Sequence, residues 1–279
     1  MRLVWQLLAV AAVAFVGGQG VAAVQGNWFL TLVLGLLTAV VAVLVYGWVV
    51  RRTEHRVSVE VGREGARAAF GRGVAVGVAT FACVIGNIAL LGDYTVHGAG
   101  SVTGAMGLVG FMAAAAVTEE LLFRGVLLRI VEQRFGTWVA LTSTGALFGM
   151  MHLLNKDATV WGALAIAIEA GGMLGAAYTA TRTLWLPIGL HFGWNFAESG
   201  IFGTEVSGSG GTQQGLLDAG TSGARLVTGG QFGPEASVYS VLLGVLVTVA
   251  FLWLAKRRGH VVPRRRRDVP AGSVATLPR

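Results

Sequence analysis

Three short stretches place ionisable or hydrogen-bonding side chains inside long apolar runs. They are Glu119-Glu120-Leu121-Leu122-Phe123-Arg124, Phe148-Gly149-Met150-Met151-His152 and His191-Phe192-Gly193-Trp194-Asn195. An ionisable group in hydrocarbon costs on the order of 2.5–3.5 kcal/mol on insertion scales, and such groups usually serve a function. Glu120 and Arg124 are spaced i,i+4 with the acid first, the better order for an intrahelical ion pair. Glu119 is turned about 100° from Glu120 and has no cation at i+3 or i+4, so it is free to face another helix as a general base. His191 and Asn195 share the same spacing and project from one face, whereas His152 stands alone on its helix.

Together these groups suit hydrolysis. Glu119 takes a proton from water, a histidine orients that water, and His191 with Asn195 stabilises an oxyanion. A Glu/His/His set is equally a site for a divalent metal such as Zn, with Glu119, His152 and His191 as ligands, and the sequence does not separate the two. The plain structural alternative is polar glue between helices, which fits any one of these residues better than the whole set. Glu169 and Glu198 are further acids in apolar runs. Glu169 is expected to border a cavity, and Glu198 to reach water near the end of its helix.

The elements that must position this set are membrane helices. Of the 279 residues 54% are hydrophobic and 13% charged, against about 25% charged in a soluble domain, and the mean hydropathy is +0.68. A chain so poor in charge cannot cover a globular surface, whereas spans of roughly 20 apolar residues account for it. Hydropathy places the spans at 3–24, 28–50, 73–91, 106–131, 138–154, 159–180, 184–202 and 236–255. The fold class is therefore all-α, a polytopic transmembrane bundle of about eight spans in one domain over 1–255. Segment 203–235 reads as a flexible Gly-rich extracytoplasmic loop and 256–279 as a basic cytoplasmic tail. Met1-Arg2 and Val21-Ala22-Ala23 resemble a signal peptide, but the long apolar stretch and single charge favour an uncleaved first span.

The formal charge of +7 does not indicate nucleic acid. Six arginines lie between Arg51 and Arg72 and eight basic residues from Lys256 onward, beside apolar spans and without interleaved aromatics. This is the positive-inside pattern, with both termini cytoplasmic in a multi-pass cell-membrane protein and anionic lipids as partners of the loop and tail. The single cysteine, Cys83, excludes an intramolecular disulfide and reads as a small core residue. No inverted repeat and no proline-broken helix supports a proton-coupled transporter. Depth adds one tension. At 1.5 Å per residue, Glu119 falls roughly 20 Å from the outer end of its helix and His191 roughly 10 Å from the inner end of its own, which match. His152 falls roughly 20 Å from the inner end of its helix, displaced outward.

In their order, EExxxR, FxxxH and HxxxN on separate spans, these motifs resemble the CPBP family. That family comprises CAAX prenyl protease 2 (Rce1-type) enzymes and bacteriocin-processing or immunity relatives, the Abi intramembrane proteases. The resemblance runs through Glu119-Glu120, Arg124-Gly125, Phe148, His152, Leu184-Trp185, Pro187-Ile188, His191 and Asn195, within a core of about 104–202. It implies an intramembrane endopeptidase acting on membrane-embedded or lipidated peptide or protein substrates, with its cavity open toward the cytoplasm. Glu119 would be the activating glutamate, Glu120 and Arg124 its supports, and His152, His191 and Asn195 the rest of the site. The family has been called metalloprotease, yet a metal-free glutamate mechanism is favoured here, since a zinc site using Glu119 as ligand would leave the Arg124-flanked Glu120 as base. The competing expectation is a non-catalytic scaffold or immunity protein that keeps the fold.

Overall fold

The computed structural model describes residues 1–211 and 215–264. In chain order the elements are α1 (Arg2–Ala23), α2 (Trp28–Glu54), α3 (Ala66–Leu90), β1 (Tyr94–Ala99), α4 (Val102–Phe135), α5 (Thr137–Leu154), α6 (Val160–Thr181), α7 (Trp185–Asn195), β2 (Leu217–Thr221) and α8 (Val238–Arg257). All eight apolar runs fold as helices, but seven are long and apolar enough to cross a membrane. The eighth expected span, at 184–202, is the exception: α7 has eleven residues and a six-residue π-helical continuation, Phe196–Ile201. It is buried along almost its whole length, so its neighbours are protein rather than lipid and it need not match the bilayer. The all-α reading holds apart from a two-stranded antiparallel sheet pairing β1 with β2, with an irregularity between Val96 and Gly98.

The two ends of the bundle differ in chemistry. At one end α2, α4, α6 and α8 begin, and each N-terminus is capped by a side chain, from Asn27, Ser101, Thr159 and Ser237 respectively. At the other end arginines tie the helix termini together. Arg129 donates to Glu54 (2.8 Å) and to Gln6 (2.8 Å), Arg56 pairs with Glu60 (2.7 Å), Arg182 pairs with Glu132, and Arg258 donates to the Ala180 carbonyl (3.0 Å). The last described basic residue is Arg264; the rest of the expected basic tail lies outside the described residues.

The segment read as a flexible loop is not featureless. It contains β2, a helical turn at Arg225–Thr228 and the buried residues Phe232, Pro234 and Glu235. Asn155 donates to the Ser207 carbonyl (2.7 Å), binding this segment to the end of α5.

Glycines set how closely the site-bearing helices approach. On α3 a Cβ at Gly77 would lie 2.3 Å from the Leu190 carbonyl oxygen, and on α7 a Cβ at Gly193 would lie 2.5 Å from that of Val74. Gly73 and Gly189 repeat the contact one turn away, so α3 and α7 interlock through small residues four apart on each helix. Cys83 departs from expectation. It is exposed on the outside of α3, because in a membrane bundle the outward face is as apolar as the inward one and hydrophobicity does not reveal burial.

Candidate active site

Glu119 and Glu120 end the α-helical part of α4, and the helix continues as a π-helix over Leu121–Leu128. The wider π turn is an irregularity common at functional sites. The two carboxylates, about 100° apart around the helix, meet different surroundings. The Glu120 side chain is fully buried, whereas that of Glu119 is 35% exposed, toward a cavity of about 440 Å³.

Glu120 is taken up by two partners. Its Oε1 accepts from Arg124 Nη1 at 2.7 Å and from His191 Nδ1 at 3.0 Å. Arg124 is itself buried, donates from Nη2 to the Ala170 carbonyl (3.0 Å), and lies 4.7 Å over the Phe148 ring. The charge of Glu120 is thus met by a guanidinium and an imidazole in a medium where an unpaired charge would cost several kcal/mol. Because a carboxylate only accepts, this bond puts the proton of His191 on Nδ1. Nε2 then points toward Glu119, 3.9 Å from its Oε2. Among the described residues Glu119 makes no hydrogen bond.

His152 lies on a 3-10 turn at the end of α5. Its Nδ1 is 2.8 Å from the Phe148 carbonyl, which again fixes the proton on Nδ1 and leaves Nε2 free. Phe148 packs edge-on against both histidines and against Phe123, filling the space between the three helices that carry the site. Asn195, at the end of α7, is buried and borders the cavity, and among the described residues its amide has no protein partner. Glu119, His152, His191 and Asn195 therefore line one cavity, and Glu120 and Arg124 sit behind it.

Among the described residues no group of three or more His, Cys, Asp or Glu side chains is already gathered as a metal-ligand cluster, although the Nδ1 contacts of both histidines leave each Nε2 toward the cavity, the atom that would bind one. The remaining acids, Glu169 and Glu198, are both fully buried. Glu169 borders a small hollow of about 10 Å³ beside His152, His191 and Asn195, about the size of one water. Glu198, expected to reach water, is fully buried, because its helix end is covered by the 203–235 segment. The residues that sequence reasoning missed are on the cavity rim: Asn155, Val206, Ser207 and Ser209. Glu235 holds this rim in place, accepting from Trp194 Nε1 (3.0 Å) and from the Ser207 hydroxyl. No local pattern in the sequence marks them.

Fold and site together define a multi-pass helical membrane protein with a carboxylate, two histidines and an amide around an intramembrane cavity. Residues 101–197, which contain every member of that set, match the family model described as Type II CAAX prenyl endopeptidase Rce1-like. The match agrees with the motif resemblance, and the family it describes is one of membrane endopeptidases. No curated protein and no solved structure matches the chain.

Proposed function

We propose that the chain is an intramembrane endopeptidase that hydrolyses peptide bonds of membrane-associated peptide or protein substrates with a water activated by Glu119. The observation that carries this reading is the division between the neighbouring carboxylates: Glu120 is spent on Arg124 and His191, and Glu119 is left facing the cavity with no hydrogen bond among the described residues and with His191 Nε2 3.9 Å away. Glu119 takes the proton of a water in the cavity. A water in hydrogen-bond contact with both Glu119 Oε2 and His191 Nε2 is geometrically allowed, since two contacts of about 2.8 Å easily bridge their separation. His152 lines the same cavity with Nε2 free to accept a hydrogen bond from the substrate. As the tetrahedral intermediate forms, the Asn195 amide donates to the oxyanion, and the proton held by Glu119 passes to the leaving amine. Glu120 acts by fixing the tautomer and aim of His191, and Arg124 by holding Glu120.

This reading routes no step through a metal; Glu119, His152 and His191, which line one cavity, are the residues that would hold one. The basic end of the bundle is assigned to the cytoplasm by the positive-inside rule, with both termini on that side and anionic lipid headgroups against the arginines. The test is purified protein with a library of membrane peptides, read by mass spectrometry. New peptide termini should arise with wild type and not with Glu119→Ala; equal cleavage by both would remove Glu119 from the reaction, and no cleavage by either would favour a non-catalytic scaffold.

A further inference from the structure

Glu169 stands on the π-helical stretch of α6, Ala167–Gly171, a kind of turn frequent at functional sites. The carbonyl of the next residue, Ala170, accepts from Arg124 Nη2 at 3.0 Å, so this turn already carries one contact to the groups that support Glu119. On its other side α8 comes so close that a Cβ at Gly244 would lie 2.5 Å from the Cβ of Glu169. The Glu169 side chain is fully buried, and neither of its carboxyl oxygens has a hydrogen-bond partner among the described residues. Burial of a polar group in that state is costly. The carboxyl borders the hollow of about 10 Å³, and Asn195 lines both that hollow and the larger cavity.

The Asn195 amide poses the matching problem. To donate to an oxyanion its Nδ2 has to face the cavity, which turns Oδ1 toward the hollow. No protein donor on the hollow side is left for that oxygen. Among the described residues that line the hollow, Trp194 Nε1 and the Ser207 hydroxyl both donate to Glu235. The Nδ1 protons of His152 and His191 are held by the Phe148 carbonyl and by Glu120.

One water in the hollow meets both needs. It donates one hydrogen bond to Asn195 Oδ1 and pairs with the Glu169 carboxyl, as donor to an ionised group or as acceptor from a neutral one. The bond to Asn195 runs in the same direction in both cases, so the amide N–H is aimed at the cavity whatever the charge of Glu169. A volume of about 10 Å³ with Glu169, Asn195 and Glu235 on its walls has the size and the two to four polar partners that a buried water requires.

We propose that Glu169 is a positioning residue for the reaction, acting through one water in the hollow to turn the Asn195 amide toward the oxyanion. The assignment rests on the protease reading above and deepens it with a residue that touches neither substrate nor the reacting atoms.

The test is a kinetic cycle on the full chain in proteoliposomes with one membrane-peptide substrate. It compares wild type, Glu169→Leu, Glu169→Gln, Asn195→Ala and the double variant Glu169→Leu with Asn195→Ala. Glu169→Leu removes the partner of the water and should lower kcat by about 10²-fold, which a misplacement of about 1 Å can cost, with KM unchanged. Glu169→Gln can still pair with the water and should stay near wild type. In the Asn195→Ala background Glu169→Leu should cost no further rate, because no amide remains to be aimed. Losses that multiply in the double variant, or a Glu169→Leu rate equal to wild type, would overturn the assignment. If Glu169→Leu is not recovered folded, Glu169→Met takes its place; loss of the fold in both would make Glu169 a structural residue and overturn it as well. A wild type that cleaves no peptide would remove the protease reading and this assignment together, whereas multiplying losses in an active enzyme would remove only this one.

Discussion

Glu119 and Glu120 are adjacent in the chain, yet one carboxylate opens on a cavity and the other is sealed between Arg124 and His191. The rotation of about 100° between successive helical residues separates their directions. The same side-chain chemistry is thereby given two jobs, one toward substrate and one toward the scaffold.

The two carboxylates should fail in different ways. Glu119→Gln should leave thermal stability in detergent within about 0.5 kcal/mol of wild type, as for a residue with no structural partner. Glu120→Gln weakens a buried charge pair whose disruption typically costs about 3–5 kcal/mol, so its melting temperature should fall clearly. Thermal unfolding followed by circular dichroism measures both.

The pair Glu120 and Arg124 should show coupling in a double-mutant cycle. Arg124→Met alone leaves the Glu120 charge buried without its guanidinium, with only the His191 bond remaining, and should be the least stable variant. Glu120→Gln combined with Arg124→Met should recover part of that loss, with an interaction energy of about 0.5–3 kcal/mol. Activity should not return with stability, because His191 would still lack its carboxylate.

Asn195→Ala should separate catalysis from folding. The amide has no protein partner among the described residues, so stability should hardly move, whereas removal of one oxyanion donor costs about 10²–10³ in rate. A rate equal to wild type would take Asn195 out of the mechanism.

The α3–α7 interface should tolerate no side chain at its glycines. At Gly77 even a Cβ would press on the Leu190 carbonyl at 2.3 Å, and overpacking of this kind costs typically about 1–3 kcal/mol. Gly77→Leu should therefore lose folded protein on size-exclusion chromatography, while Gly86→Leu, at a position with open space, should not.

Much of the site was legible because polar residues stand out against an apolar background. Glu119, His152, His191 and Asn195 could be found by type and spacing, and the i,i+4 pair of Glu120 with Arg124 is a local relationship that helix geometry dictates. What could not be read depends on residues far apart in sequence. Asn155 meets Ser207, and Glu235 joins Trp194 to Ser207, and these contacts bring the segment after α7 to the cavity wall. Cys83 and Glu198 were misread for a related reason. In a membrane protein apolarity marks lipid-facing and protein-facing surfaces alike, so burial follows from helix packing that the sequence does not display.

Metal dependence can be settled on the purified protein. With Glu119 as the base and no metal step, activity should survive exhaustive chelation, and elemental analysis should find far less than one zinc per chain. Stoichiometric zinc that is lost in His191→Ala, with turnover restored by added zinc, would replace the glutamate-only mechanism.

The role of Glu119 as the base is most directly tested by single-turnover cleavage of one membrane-peptide substrate by wild type and Glu119→Gln in the same proteoliposomes. The expected result is a rate lower by about 10²–10⁴ in the variant, the usual contribution of a general base, with unchanged helical content and substrate binding. Equal single-turnover rates in two equally folded proteins would contradict it.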